Sequence, residues 1–118
     1  MLHHDRYGLP PLQTSTAGKV VLVGDAAHAM TPNLGQGACQ ALEDAVVLGD
    51  VMASGDGLAA YDRLRRPRTQ MIARRSRRIG VAAQWASPAA VSLRNTALRL
   101  LPSSSFAGSL APVLDWAA

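Results

Sequence analysis

The apolar run Val20-Val21-Leu22-Val23, introduced by Lys19 and closed by Gly24-Asp25, predicts a strand that is apolar on both faces. Strands of that kind lie in the middle of a sheet covered by helices. Ahead of it, residues 1–18 read as an irregular lead-in, because Pro10-Pro11 blocks a helix and Thr14-Ser15-Thr16-Ala17-Gly18 reads as a turn. After it, Thr31-Pro32-Asn33-Leu34-Gly35-Gln36-Gly37 is loop chemistry. A helix is then predicted from about Gly37 to Ala53, with Ala38, Ala41, Leu42, Ala45, Leu48 and Met52 as its buried stripe and Glu43, Asp44 and Asp50 off it. Ser54-Gly55-Asp56-Gly57 terminates that helix. A longer helix is predicted over Leu58 to Trp85, with Tyr61, Leu64, Arg68, Met71/Ile72, Arg75, Ile79 and Ala82/Ala83 on one side and a kink or a restart at Pro67. Beyond Ser87-Pro88, a short amphipathic helix runs over Val91 to Leu101, closed by Pro102 and Ser103–Ser105. The last residues, with Phe106, Leu110, Val113, Leu114 and Trp116, carry too little periodicity to predict an element.

One strand of the buried kind is a problem for the chain that holds it. Each buried unpaired backbone group costs ~1–3 kcal/mol, and a sheet needs three or more strands for independent stability. The simplest account is that these residues are the C-terminal piece of a larger α/β protein, with Met1 an internal start, a truncated reading frame or a cloning boundary. The organisation expected is a lead-in over 1–18, the C-terminal part of an α/β domain over 19–85 and a helical tail over 86–118.

Composition narrows the classes further. The 118 residues are 48% hydrophobic, ordinary for a globular chain, and no apolar run approaches the ~20 residues of a membrane span. Met1-Leu2-His3-His4-Asp5-Arg6 has no apolar core of a secretory signal, and the one cysteine, Cys39, has no partner for a disulfide, so a reduced, cytoplasmic setting is expected. Cys39 is expected to be a small buried residue. Net charge is +4, but 8 of the 12 cations lie between Arg63 and Arg78. That block reads as one solvated helix face, with a nucleic-acid site as the competing reading. Trp85 and Trp116 are too far apart to form a stacking platform.

The chemistry concentrates in Gly24-Asp25-Ala26-Ala27-His28-Ala29-Met30-Thr31-Pro32-Asn33-Leu34-Gly35-Gln36-Gly37-Ala38. An acid at the carboxyl end of a strand sits where open α/β sheets bind ligands, and a carboxylate accepts hydrogen bonds from hydroxyls or N–H groups. Gly35-Gln36-Gly37 opens a helix whose first N–H groups are orphans at the positive end of the helix dipole. Hydroxyls on the acid and an electron-rich carbonyl on the helix end would suit a flavin. His28 reads as a histidine packed under that loop. Glu43 and Asp44 point about 100° apart on a helix, so they make no acid pair; one is expected at the surface, and Asp44 is placed to pair with an arginine of the long helix. No metal site is expected.

This string resembles the second FAD-binding motif of the class A flavoprotein monooxygenases, the p-hydroxybenzoate hydroxylase-like aromatic hydroxylases. With Gly35-Gln36-Gly37 and Glu43-Asp44-Ala45 it is most similar to their urate hydroxylase, salicylate hydroxylase and zeaxanthin epoxidase type. The tight match covers Lys19 to about Leu48, and the looser one extends from Leu9-Pro10-Pro11-Leu12 to Arg68. The resemblance implies a Rossmann-like α/β fold, with Gly24 and Asp25 at the ribityl chain of FAD, Pro32 beside the isoalloxazine, and Leu34, Gly35, Gln36, Gly37 and Ala38 at the flavin N1–C2=O edge. It implies NAD(P)H as reductant, O2 as co-substrate and an aromatic or unsaturated small molecule as substrate, with no catalytic side chain in this stretch. The family's Gly-x-Gly-x-x-Gly motif is absent, as is most of its substrate-binding sheet, so a separately encoded N-terminal half is one implied partner. The competing readings are a non-catalytic remnant that keeps the loop as a fold element, and the arginine-helix nucleic-acid binder.

Overall fold

A computed structural model of the chain describes residues 8–116. The chain order is β1 (Thr16–Ala17), β2 (Val20–Val21), α1 (Asp25–His28), a 3-10 turn (Pro32–Leu34), α2 (Gly37–Ser54), α3 (Leu58–Ala83), α4 (Pro88–Leu100) and α5 (Ser103–Leu114). The described residues divide into two units, one up to Ile79 and one from Gly80. No described helix is long and apolar enough to cross a membrane.

The expected buried strand is the main correction. Among the described residues the strand is reduced to Val20 and Val21, antiparallel to a two-residue β1 that lies inside the segment expected as a turn, with Thr16 opposite Val21 and Ala17 opposite Val20. Val20 is 61% exposed and Val23 42%. A side chain is buried only where another layer covers it, and among the described residues α2 and α3 cover the Val21 side alone. The described residues therefore form a small hairpin with a mostly helical remainder, rather than one covered strand with helices.

Helix ends follow local chemistry. Gly55 closes α2 in the left-handed conformation. Ser87 caps α4 by accepting a hydrogen bond from the Ala90 N–H, with Pro88 in the first turn. Pro67 does not split α3. It removes the donor for the Arg63 carbonyl, but both residues are exposed and water can satisfy that oxygen. The serine run expected to close a helix instead opens α5, an element the weak periodicity did not predict. The first seven residues of the lead-in and the Phe106 side chain lie outside the described residues.

Between α2 and α3 the interior is more polar than apolar. Val51, Ala60 and Tyr61 form a small apolar cluster, joined by Val21, Val47 and Leu48. Beside it lie Gln40, Glu43, Asp44, Asp62, Arg65, Thr69 and Ser76, all buried. The expected stripe of α2 is corrected accordingly. Leu42 is 70% exposed and Met52 61%, whereas Glu43 and Asp44 are both inside. Positions 40, 43, 44, 47 and 51 share one face at 100° per residue, and that face meets α3 because Arg65 is there to satisfy its carboxylates. On α3 the inward positions are Tyr61, Arg65, Thr69, Ile72 and Ser76, and Leu64 and Ile79 lie exposed. Cys39, expected inside, is exposed because it follows the outer side of α2.

Candidate functional site

Arg65, 3% exposed, is the centre of the layer. Its Nε donates to Asp44 Oδ1 at 2.7 Å, Nη1 to Glu43 Oε2 at 2.6 Å, and Nη2 to the Gln40 carbonyl and Oε1 at 3.2 and 2.9 Å. Arg68 Nε also reaches Glu43 Oε2, at 2.7 Å. Burial pushes the Asp44 carboxyl up, but hydrogen bonds with His28, Arg65 and the Gly24 N–H outweigh it and hold it below the usual range. Glu43 is likewise held low against burial, by Arg68 and Arg65. Burial raises the Tyr61 hydroxyl, and the nearby Asp44 charge raises it further.

Asp44 carries this layer to the glycine-rich stretch. Its Oδ2 accepts the Gly24 N–H at 2.8 Å and pairs with His28 Nε2 at 2.7 Å. Both ends of α1 are thereby fixed to α2. Gly24 sits at φ 57°, ψ −137°, and a Cβ there would stand 3.3 Å from the Ala41 Cβ. Only glycine allows the chain to turn from β2 into α1 this close to α2.

α3 fixes the flanking segments in the same way. Asp62 Oδ1 accepts both the N–H and the hydroxyl of Ser15 at 2.7 Å, with burial again outweighed and the carboxyl held low. Gln70 donates to the Leu12 carbonyl at 2.7 Å. The Ser76 hydroxyl donates to the Thr31 carbonyl, and Asn33 Nδ2 donates to the Ser76 carbonyl at 3.1 Å. The Pro32–Leu34 turn is thus held at both ends and closed by Gly35, whose φ is 66°.

The candidate residues occupy the outside of this scaffold. Asp25, Pro32, Gly35 and Ala38 are exposed, Leu34, Gln36 and Gly37 are half-buried, and Gly24 is buried. Asp25 begins α1 rather than ending a strand, which corrects its expected position. Gln36 leads into α2 without a side-chain cap, so the first N–H groups of an 18-residue helix carry no side-chain acceptor. A Cβ at Gly35 or Gly37 would meet nothing within 4 Å. An exposed carboxylate and an open, uncapped helix end fit a ligand with hydroxyls and a polarised carbonyl.

Sequence reasoning anticipated the pairing of Asp44 with an arginine of the long helix, but not the second carboxylate, the Ser15–Asp62 tie or the Ser76 clasp. The available signal was the i, i+3, i+4 spacing of Gln40, Glu43 and Asp44. Arg65, Arg66 and Arg68 are held in ion pairs, so the arginine block is not one solvated face.

Residues 12–76 match the FAD binding domain family. The chain belongs to that family. A 2-heptyl-3-hydroxy-4(1H)-quinolone synthase of Pseudomonas aeruginosa is 48% identical over 91 residues, covering 75% of this chain and 24% of the relative. An aurachin C monooxygenase/isomerase of Stigmatella aurantiaca is 41% identical over 104 residues, 85% of this chain and 26% of the relative. A salicylate hydroxylase of Pseudomonas putida is 58% identical over 59 residues, 43% of this chain and 14% of the relative. The resemblance to class A flavoprotein monooxygenases stands with these relatives. The chain spans about a quarter of the length of the first two.

Proposed function

We propose that this chain forms the ribityl and ring-edge part of the FAD site of a flavin-dependent monooxygenase. Family membership combined with the exposed Asp25 beside an uncapped α2 carries the reading. Asp25 accepts hydroxyls of the ribityl chain, with Gly24 allowing close approach. Pro32 borders the ring, and Leu34, Gly35, Gln36, Gly37 and Ala38 bring backbone N–H groups to its N1–C2=O edge. The positive end of α2 favours negative charge there. Bound FAD, reduced by NAD(P)H, supplies the activation of O2 needed to hydroxylate or epoxidise an aromatic or unsaturated small molecule. The chain's own residues bind and orient. Rossmann-like completion of the sheet and a reduced, cytoplasmic setting belong to this reading, and the 118 residues alone do not retain stoichiometric flavin, because the pyrophosphate and adenosine have no site in them.

A chimera tests it. This chain would replace the matched stretch of the Pseudomonas aeruginosa quinolone synthase, and flavin content and affinity would be measured. Near-stoichiometric FAD is expected. Asp25→Ala removes a charged acceptor worth ~1.5–3 kcal/mol, so affinity should fall roughly 10- to 100-fold. A folded chimera with no flavin, or an Asp25→Ala chimera with unchanged affinity, removes this site.

A further inference from the structure

Three residues close a ring of hydrogen bonds around Pro32. Ser76, fully buried on α3, donates its hydroxyl to the Thr31 carbonyl. Its Oγ is then left to accept from the Thr31 hydroxyl, 3.1 Å away. The Asn33 side-chain amide spends both of its protons here, one on Thr31 Oγ1 at 2.9 Å and one on the Ser76 carbonyl at 3.1 Å. The donors run in one direction, from Asn33 through Thr31 to Ser76, and such chains strengthen their own links. Pro32 adds stiffness. Its own φ is locked, and it confines the residue before it to the extended region, where Thr31 sits at φ −63°, ψ 144°.

This clasp decides where the polar groups of the turn point. The Thr31 carbonyl is drawn toward α3, and the Pro32 carbonyl accepts the Gly35 N–H at 2.9 Å. Two acceptors that would otherwise be free to face a ligand are thus engaged within the protein. Only Gly35 and Gln36 separate the turn from the first residue of α2, so the turn stands directly beside that open helix end.

We propose that Ser76 is a positioning residue for the flavin ring, acting from α3 through Thr31, Asn33 and Pro32; this role rests on the proposed FAD site. Ser76 holds Pro32 in place beside the ring and keeps the Thr31 carbonyl off its electron-rich edge. The N–H groups that open α2 then meet the N1–C2=O edge unopposed. A carbonyl swung toward that edge would oppose negative charge there, and reduced flavin carries more of that charge than oxidised flavin. Serine suits the position because its side chain is short enough for a site without exposed surface and can both donate and accept.

Ser76→Ala and Asn33→Ala test it, in the 118-residue chain and in the quinolone synthase chimera. Asn33 is exposed, so its truncation leaves the packing of α3 intact should Ser76→Ala disturb it. Gln70→Ala is the control, because it cuts another tie from α3, to the Leu12 carbonyl, without touching the turn. In the free chain, amide exchange at Gly35 should rise by roughly 5-fold or more in both variants and stay at the parent rate in Gln70→Ala. In the chimera at saturating FAD, Ser76→Ala should weaken reduced flavin about 10-fold more than oxidised flavin, which lowers the two-electron midpoint potential by about 30 mV. Asn33→Ala should shift it in the same direction, and Gln70→Ala should keep the parent potential. Unchanged Gly35 exchange in both variants overturns the clasp. A parent potential in both FAD-loaded variants, or an equal drop in Gln70→Ala, overturns the positioning role and leaves the FAD site standing. A parent chimera that folds without flavin overturns the proposed site, and this role with it.

Discussion

Replacing Arg65 by methionine keeps most of the side-chain volume and removes one charge from the layer between α2 and α3. Four hydrogen bonds go with it, to Asp44, to Glu43 and to two oxygens of Gln40. The arginine side chain is 3% exposed and that of Asp44 is fully buried, so solvent screens this pair little. Breaking such a pair from one side costs ~3–5 kcal/mol, because the partner charge stays buried. Here Asp44 keeps His28 and the Gly24 N–H, and Glu43 keeps Arg68, which places the expected loss near the lower end, at ~3 kcal/mol. Small domains have ~5–15 kcal/mol in total, so the variant should lose a large share of its stability. Urea unfolding followed by circular dichroism measures it, and with m-values of ~1–3 kcal/mol/M the midpoint should drop by about 1–3 M. Arg65→Lys should recover only part, since a single ammonium cannot reach the same acceptors in a planar fork. Arg63→Met, at an exposed position, should stay within ~0.5 kcal/mol of the parent. A loss below ~1 kcal/mol for Arg65→Met, at equal m-value, would refute the claim that this arginine holds the two helices together.

Acid should act on the same layer. Asp44, Glu43 and Asp62 are held below their ordinary values of 3.8, 4.5 and 3.8, so their stabilisation is complete above those values and is lost as pH falls through the lower folded ones. The urea midpoint should therefore fall from about pH 4.5 downward, and constant stability to pH 3 would contradict the assignment. Gly24→Ala should cost ~1–3 kcal/mol, because the backbone is at positive φ and the new Cβ meets Ala41. Gly37→Ala should be neutral or stabilising by up to ~1 kcal/mol in thermal melts, since its helical backbone has open space around it; equal losses at both glycines would remove the distinction. Gly37→Val should fold but bind FAD more weakly in the chimera, which separates a role toward the ring edge from a role in the turn.

Elements whose limits depend on neighbouring residues along the chain are legible in the amino-acid sequence by itself. The start of α2 at Gly37, its stop at Ser54-Gly55, and the start of α3 at Leu58 follow from glycine punctuation and 3.6-residue periodicity, both local properties. The glycine-rich stretch and its family are equally plain, because residue types at fixed spacing carry that information. The inward face of α2 is not legible in this way. Periodicity reports that Leu42 and Met52 share a stripe, but burial depends on what lies opposite, and Arg65 lies 21 residues beyond Asp44. One buried guanidinium makes a carboxylate face the inner one and leaves the apolar stripe outside. The run Val20–Val23 shows the same division: its composition specified a covered strand, while its pairing with Thr16–Ala17 and its exposure depend on the layers within reach. Tertiary contact alone also joined Ser15 to Asp62 and Thr31 to Ser76, since hydrogen bonds between residues 45 or more apart leave no periodic trace in the chain.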